Sequence, residues 1–169
     1  TTGAYRIEVR RRLLAGNIAI EPNDTPRLAT ILEVPGEVQG FYERPFDKDI
    51  FFVPREDLEA GIYSLEVSQL PEMPQELKIY NDKSLQAPIL ALNVGTRAPA
   101  IIPNISLSAG EGDGLYFVLS AGEAYSRQQS YRLRVIKHPP GEGFHVEREP
   151  NDLAELAQYV DLGQRLRGY

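Results

Sequence analysis

Short runs of β-branched and aromatic residues recur along the chain, and turn-forming residues separate them. Several runs alternate with a period of two, which is typical of antiparallel strands that bury one face. Tyr63, Leu65 and Val67, for example, alternate with Ser64 and Glu66. Strands are predicted at residues 5–9, 17–20, 36–42, 50–54, 61–68, 77–81, 89–94, 100–108, 114–120 and 131–136.

Helical patterns are restricted to residues 25–34 and 151–160, where a Thr or Asp can cap the start before an apolar run. Many short strands separated by Asn, Asp and Gly turns predict an all-β fold. The architecture that we expect is an antiparallel β-sandwich of jelly-roll or Greek-key type. The 169 residues are enough for roughly one such domain.

One passage occurs twice in the chain. Residues 5–9 read Tyr-Arg-Ile-Glu-Val, and residues 21–24 read Glu-Pro-Asn-Asp. Residues 131–135 read Tyr-Arg-Leu-Arg-Val, and residues 149–152 repeat Glu-Pro-Asn-Asp. The offset is 126 at the tyrosines and 128 at the glutamates. A period of this length indicates a repeat of a whole domain, because solenoid units span about 20–50 residues.

The repeat divides the chain into three parts. Residues 38–41, Val-Gln-Gly-Phe, also align with residues 166–169, Leu-Arg-Gly-Tyr. We therefore interpret residues 1–16 as the end of a preceding repeat plus a linker, and residues 17–137 as a complete β-sandwich module. Residues 138–169 are then a linker and the start of a following repeat.

Composition narrows the class of protein. The formal net charge of -6 argues against a nucleic-acid partner, because phosphate binding needs clustered Lys and Arg. The basic cluster at residues 10–12 is interpreted as solvated linker surface, with a polyanion site as the alternative. The absence of cysteine excludes disulfides, thiolate metal sites and a cysteine nucleophile. No apolar run approaches the ~20 residues of a membrane span.

Oxygen-bearing side chains gather at two places. Glu21, Asn23 and Asp24 crowd into one turn, and Asp47 and Asp49 come just before a predicted strand. Carboxylate and amide oxygens are hard donors of the kind that Ca²⁺ takes, six to eight of them at about 2.3–2.6 Å. Two interpretations stay open: a calcium site, or structural turns in which these side chains only cap the backbone.

The order of the motifs resembles a known family. It runs Glu-Pro-Asn-Asp-Thr-Pro, an Ala-Thr segment, Gly-x-Val-x-Gly, Asp-x-Asp-x-Phe, Gly-Ile-Tyr-Ser-Leu and Tyr-x-Leu-x-Val. This order resembles the bacterial pre-peptidase C-terminal domain, which is appended to secreted proteases and is related to the collagen-binding modules of clostridial collagenases. The resemblance covers about residues 21–135 and begins again at residue 149. It implies a jelly-roll sandwich outside the cytoplasm, often calcium-bound, that serves as a binding or stabilising accessory.

The resemblance also implies which residues hold calcium. In the first copy the matching residues are Glu21, Asn23, Asp24, Asp47 and Asp49. An earlier acidic position of the family is Ala19 here, which removes one ligand. In the second copy, which keeps that acid, the matching residues are Glu147, Glu149, Asn151 and Asp152. The Asp-x-Asp segment of the second copy is not within the sequence.

The sequence offers little for catalysis. His138 and His145 both lie in the predicted Pro- and Gly-rich linker, so a positioned general base is not expected. The nucleophile-elbow and zinc-helix motifs are absent. Asp47 and Asp49 could in principle form the pair of carboxylates that a glycosidase uses. However, nothing in the sequence around them indicates a substrate cleft.

The tyrosines are candidates for a carbohydrate or peptide platform. Tyr63, Tyr116 and Tyr131 occupy alternating strand positions, which predicts that they pack inward. Tyr125 lies in a polar stretch and is predicted to be exposed.

We expect a non-catalytic repeat module of a secreted or cell-surface bacterial protein, located outside the cell or in the periplasm. It would serve as a spacer or stabilising domain that calcium rigidifies. The alternatives are an extracellular carbohydrate- or protein-binding domain and a folding aid for an attached secreted protease. Its partners would be neighbouring repeats and, in the binding alternative, an extracellular polymer or protein. Unpaired strands at both ends also predict a strand-exchanged homodimer, or mutual completion of residues 5–9 and 162–169.

Overall fold

The computed structural model describes residues 17–59, 61–110, 112–139, 145–147 and 157–167. The predicted strand at residues 5–9 and most of the predicted helix at residues 151–160 lie outside the described residues. Residues 157–160 of that helix are described and are not helical.

The described chain is built from two sheets, so the predicted all-β class is confirmed. The strands are β1 Thr30–Ile31, β2 Gly36–Gly40, β3 Lys48–Pro54, β4 Ile62–Val67, β5 Gln75–Tyr80, β6 Leu90–Val94, β7 Ala100–Ile105, β8 Gly114–Ser120, β9 Tyr131–His138, β10 His145–Val146 and β11 Leu166–Arg167. One sheet has the order β1-β3-β8-β5-β6 and the other β2-β9-β4-β7, while β10 and β11 form a separate pair. The arrangement is that of a β-sandwich; its jelly-roll connectivity stays a prediction.

The core lies between the two sheets, where alternating side chains of each strand point inward. Phe51 and Phe117 come from the five-stranded sheet, and Leu65 and Leu133 from the four-stranded one; each is fully buried. Aromatic and branched side chains of this size each contribute about 1.5–3 kcal/mol when they leave water. Burial of this period-two face fixes the register, because a slip by one residue would turn the apolar face to solvent.

A second apolar cluster covers the outer face of the five-stranded sheet. Ile50, Tyr80, Tyr116 and Val118 form it, and Leu85 packs against it from the loop after β5. The strand β8 is therefore buried on both faces, which accounts for its unbroken apolar run.

The prediction of a helix at residues 25–34 is wrong. The segment forms a single 3₁₀ turn, Pro26–Leu28, followed by the short strand β1. β1 runs parallel to β3, and the Leu32 N–H donates to the Phe52 carbonyl at 2.9 Å. The β-branched Thr30 and Ile31 pair with β3 instead of continuing a helix, so sheet pairing overrides the local pattern.

Two other predictions need correction. The strand expected at residues 17–20 is reduced to a single parallel bridge between Ile18 and Gln39. The linker was expected to begin at residue 138, whereas β9 continues through His138. Within the residues that the structure describes, no helix is long and apolar enough to cross a membrane.

Candidate metal centre

The turn that contains Glu21 and Asn23 is fastened to the start of β3. The Ile50 N–H donates to the Asn23 carbonyl at 3.2 Å, and the Asn23 N–H donates to Glu21 Oε2 at 3.1 Å. These bonds place the Asn23 side chain in the interior, where it is fully buried. The family resemblance implied that this turn and the Asp-x-Asp segment contribute to one site. The backbone contact between Asn23 and Ile50 brings the two segments together.

Asp49 lies on the inner face of β3, in line with the core residues Phe51 and Val53. The Tyr131 hydroxyl, from β9 of the opposite sheet, donates to Asp49 Oδ2 at 2.5 Å. The Tyr131 ring stacks on Tyr42 with centroids 4.9 Å apart. A buried carboxylate is therefore held at one end of the sandwich by a tyrosine that is itself fixed by packing.

Three buried polar atoms of Asn23 and Asp49 have no hydrogen-bond partner among the described residues. They are Oδ1 and Nδ2 of Asn23 and Oδ1 of Asp49. An unsatisfied buried polar group costs about 1–3 kcal/mol, so most such groups in native proteins have a partner. Two of these atoms, Oδ1 of Asn23 and Oδ1 of Asp49, are buried oxygens of the kinds that bind Ca²⁺, and within the described residues neither accepts a hydrogen bond.

A second set of carboxylates is already paired with a cation. The Arg44 guanidinium contacts Asp24 and also donates to Asp47 Oδ1 at 3.2 Å. Asp47 accepts a further bond from the Glu43 N–H at 2.6 Å, which closes the turn before β3. Asp24 and Asp47 are therefore engaged by Arg44, whereas Asp49 and Asn23 keep free oxygens.

The electrostatics of the two sets differ. Burial raises the pKa of Asp49 to about 8; the Tyr131 hydroxyl opposes this shift, and Glu21 adds to it. Burial also raises the pKa of Glu21. Although burial opposes the change, the Arg44 guanidinium lowers the pKa of Asp24. Asp49 is thus largely protonated at neutral pH, as expected for a buried acid without a cation.

Carboxylates and imidazoles alone do not make a metal site here. In the described part of the chain, no group of three or more His, Asp or Glu side chains is placed so that it could hold a metal ion. A site at this end of the sandwich therefore needs the Asn23 amide oxygen beside Glu21 and Asp49. Its donor set fits Ca²⁺, which accepts carboxylate, amide and backbone carbonyl oxygens together.

The sequence did not identify Arg44 or Tyr131 as parts of the site. Tyr131 has a sequence signal, since it is the tyrosine that recurs in both copies of the repeat. Arg44 has none, because only the fold brings it to Asp24. Of the residues in the second copy, Glu147 is described, whereas Glu149, Asn151 and Asp152 lie outside the described residues. The calcium assignment of the second copy stays a prediction.

The structure also bears on the expectations for histidine and tyrosine. His138 lies in β9, where its Nε2 is 2.6 Å from Ser64 Oγ, so its assignment to a linker is wrong. The predicted inward packing of Tyr63 and Tyr131 is confirmed, and Tyr125 is exposed as predicted. Tyr116 is also buried, but it packs in the cluster on the outer face of the five-stranded sheet, so its predicted inward direction is wrong. Of the strand tyrosines considered for an aromatic platform, Tyr63, Tyr116 and Tyr131 are therefore buried in the described part of the chain, and Tyr125 is exposed.

Replacing Tyr131 by Phe tests the bond to Asp49. We expect Tyr131→Phe to lower the free energy of unfolding by about 1–3 kcal/mol, because Asp49 loses its hydroxyl donor while the ring stacking remains. Urea unfolding measures the change, and Tyr125→Phe, at an exposed tyrosine, is the matched control. Equal stability of the two variants would contradict the assigned role.

Comparisons with known proteins find similarity at the level of structure. No family model matches the sequence. No curated protein matches it either. Among solved structures, the chain matches the pre-peptidase C-terminal domain of a collagenase from Bacillus anthracis, at 12% identity and a TM-score of 0.43. The match covers 69% of this chain and 98% of that domain, which is of the kind that the sequence motifs resemble.

Proposed function

We propose that this chain is a non-catalytic accessory module of a secreted or cell-surface bacterial protein, and that Ca²⁺ stabilises it. The observation that carries the proposal is the set of buried oxygens without partners on Asn23 and Asp49. A bound cation would satisfy both oxygens and would neutralise the buried carboxylate. The module would then space and stabilise neighbouring domains through the rigidity of its sandwich, without a catalytic site.

Glu21, Asn23 and Asp49 are the residues that would hold the ion. When bound, the ion would supply positive charge and fasten the turn at residues 21–24 to the start of β3. Asp24 and Asp47 are held by Arg44, so they would join only if the exposed guanidinium moved away. The loss of the family's acidic position at Ala19 makes the remaining donors more important.

Calorimetric titration of metal-stripped protein with CaCl₂ tests the proposal. We expect saturable binding to one site, and a stabilisation of about 2.7 kcal/mol at a hundredfold excess over Kd. For a chain of this size, that corresponds to a rise in Tm of roughly 5–10 °C. Asp49→Asn should remove both effects, because it deletes a ligand charge while keeping the shape.

Asp57→Asn is the control, because Asp57 is exposed in the 3₁₀ turn Arg55–Asp57, away from the site. It should bind Ca²⁺ like the original chain. If metal-stripped protein gives neither heat nor a shift in Tm, the Glu-Pro-Asn-Asp turn is structural and the module is a spacer without calcium.

A second candidate function is recognition of an extracellular polymer. It is favoured by a polar depression of about 420 Å³ on the four-stranded sheet, lined by Glu37, Gln39, Ser68, Gln69, Ser130 and Arg132. A glycan and matrix-protein array tests this class. Signal that disappears in Arg132→Ala would support it, and an empty array would leave the stabilising role.

A further inference from the structure

Arg44 joins the two segments that carry the oxygen donors. Its Nη2 contacts Asp24 in the Glu-Pro-Asn-Asp turn, and its Nε donates to Asp47 Oδ1 at 3.2 Å, in the turn before β3. The Asp47 side chain is only 4% exposed, whereas the Arg44 side chain is 62% exposed. One guanidinium therefore bridges two carboxylates from the solvent side, and a metal ion shared by these carboxylates would have to lie between the same oxygens.

The local backbone builds this bridge. The Asp47 N–H donates to the Arg44 carbonyl at 3.2 Å, and the Glu43 N–H donates to Asp47 Oδ2 at 2.6 Å. These bonds close the turn at residues 43–47, in which Arg44 and Asp47 are three positions apart. Arg44 thus belongs to the same turn as one donor, and it reaches across to Asp24, which lies 20 positions earlier in the chain.

The guanidinium holds its charge at any pH at which the module folds. Its hydrogen bonds to Asp24 and Asp47 raise the pKa of Arg44 still further. A metal ion can displace the proton of a histidine or a thiol, but it can take these carboxylates only by breaking their ion pairs. Because the affinity of a Ca²⁺ site depends on the charge of its ligands, a fixed positive charge on two of the donors weakens the site.

The paired and unpaired donors form one charged region. Asn23 and Asp24 are adjacent in one turn, and Asp47 and Asp49 are two positions apart in the chain. Burial is the largest cause of the raised pKa of Glu21, and the charges of Asp47 and Asp24 add to it. A cation that leaves the paired donors therefore makes the whole region more favourable for a divalent ion.

We propose that Arg44 is an internal counter-ion that competes with Ca²⁺ for Asp24 and Asp47 and thereby sets the calcium affinity of the module. The inference rests on the proposed calcium function and adds the residue that regulates it. With the guanidinium in place, the ion has only the unpaired donors. Without it, two further carboxylates are available, and the module should bind the ion more tightly.

Arg44→Gln tests the competition, because glutamine is polar but carries no charge. Calorimetric titration of the metal-stripped variant with CaCl₂ should give a Kd about tenfold lower than that of the original chain. Arg127→Gln is the matched control. Arg127 is exposed on the neighbouring loop, and its Nε donates to the Glu43 carbonyl at 3.1 Å. This control removes the same charge near the same turn but leaves the bridge between the carboxylates intact, so its Kd should change by less than about threefold.

A double-mutant cycle locates the source of the tighter binding. If the carboxylate released by Arg44→Gln becomes a ligand, Asp24→Asn should remove most of the gain. Asp24→Asn should therefore weaken Ca²⁺ binding more in the Arg44→Gln chain than in the original chain, by a ratio of about three or more. Equal effects in the two backgrounds would overturn the proposal, because Asp24 would then not be released by the substitution.

Unfolding gives a second readout. In chelator, Arg44→Gln should have a lower Tm than Arg127→Gln, because the buried Asp47 loses its cation. Ca²⁺ in large excess should stabilise Arg44→Gln more than the original chain, by about 1.4 kcal/mol for a tenfold difference in Kd. If the glutamine variant does not fold, Arg44→Lys replaces it. A lysine ammonium lacks the planar fork that bridges two carboxylates, so this variant should bind Ca²⁺ about threefold more tightly than the original chain.

The outcomes separate this inference from the proposed calcium function. Equal Kd values for the original, Arg44→Gln and Arg44→Lys chains would overturn the role of Arg44 and leave the calcium function standing. Equal tightening in Arg44→Gln and Arg127→Gln would also overturn it, because the loss of any nearby charge would then suffice. Binding by Arg44→Gln but not by the original chain would support the inference and contradict the proposed function, and binding by no chain would overturn both.

Discussion

Metal-free protein is expected to lose stability as the pH rises from about 5 to about 8, the opposite of what most carboxylates contribute. The cause is Asp49, whose pKa is about 8 in the folded chain because burial disfavours its charge. In the unfolded chain the same carboxyl titrates near pH 3.8. Between these values the folded state holds a proton that the unfolded state has released.

The sign follows from proton linkage. The free energy of unfolding falls with pH wherever the folded state binds more protons, by about 1.4 kcal/mol per pH unit for one proton. The contribution of protonated Asp49 to the free energy of unfolding is therefore fully present below pH 3.8 and is lost as the pH rises towards 8. Glu21, whose pKa is also raised, acts in the same direction. We expect a total loss of roughly 3–5 kcal/mol in the presence of chelator.

Urea unfolding in chelator at half-unit pH intervals measures this loss, and Asp49→Asn is the reference. The asparagine keeps the shape of Asp49 but cannot ionise, so the difference in free energy between the two chains isolates its titration. The difference should change in favour of Asn as the pH rises, and saturating Ca²⁺ should reverse the trend for the original chain. A difference that stays flat from pH 5 to 8 would mean that Asp49 is not a buried acid.

Much of the fold was predictable because its strands carry the signal of a half-buried sheet. For β4 and β9, alternation marked both the strands and their inward faces, including Tyr63 and Tyr131. Pairing partners are not encoded in such local patterns, so the sheet orders came from the structure alone. The failure at residues 25–34 has the same origin, because contact with β3 decides the conformation of Thr30 and Ile31.

The candidate site was predictable in its oxygens but not in its neighbours. Asn23 and Asp49 stand out in sequence because they belong to short motifs rich in oxygen donors. Which oxygens are free depends on three-dimensional partners: Tyr131 holds one oxygen of Asp49, and Arg44 holds Asp24 and Asp47. In the sequence the five donors are therefore equivalent candidates. The structure divides them into a set that is paired with Arg44 and a set that keeps oxygens without a partner.

Gly40→Ala is expected to be the most damaging single-methyl change near the site. Gly40 lies opposite Tyr131 in the β2–β9 pair, and an added Cβ would be 2.2 Å from the hydroxyl oxygen and 2.4 Å from the ring carbon that bears it. Tyr131 is fully buried and stacks on Tyr42, so its ring can move only by displacing packed neighbours. We expect a loss of about 3 kcal/mol, the upper end for overpacking in a core.

The same displacement should reach Asp49, because the hydroxyl that moves is the donor to its carboxylate. Thermal and urea unfolding measure the stability, and Gly95→Ala is the control, since a Cβ there meets no atom within 4 Å. The control should change stability by less than about 0.5 kcal/mol. A Gly40→Ala chain that unfolds like the Gly95→Ala chain would contradict the close contact.

A double-mutant cycle separates this clash from a general effect of alanine in β2. Tyr131→Leu removes the ring carbons and the hydroxyl that the new methyl group would meet, at its own cost in packing and hydrogen bonding. In that background Gly40→Ala should cost less than about 1 kcal/mol, which gives a coupling of about 2 kcal/mol between the two positions. Additive effects would mean that Gly40 is required by its backbone and not by Tyr131. A large coupling would identify Gly40 and Tyr131 as a structural unit of the module.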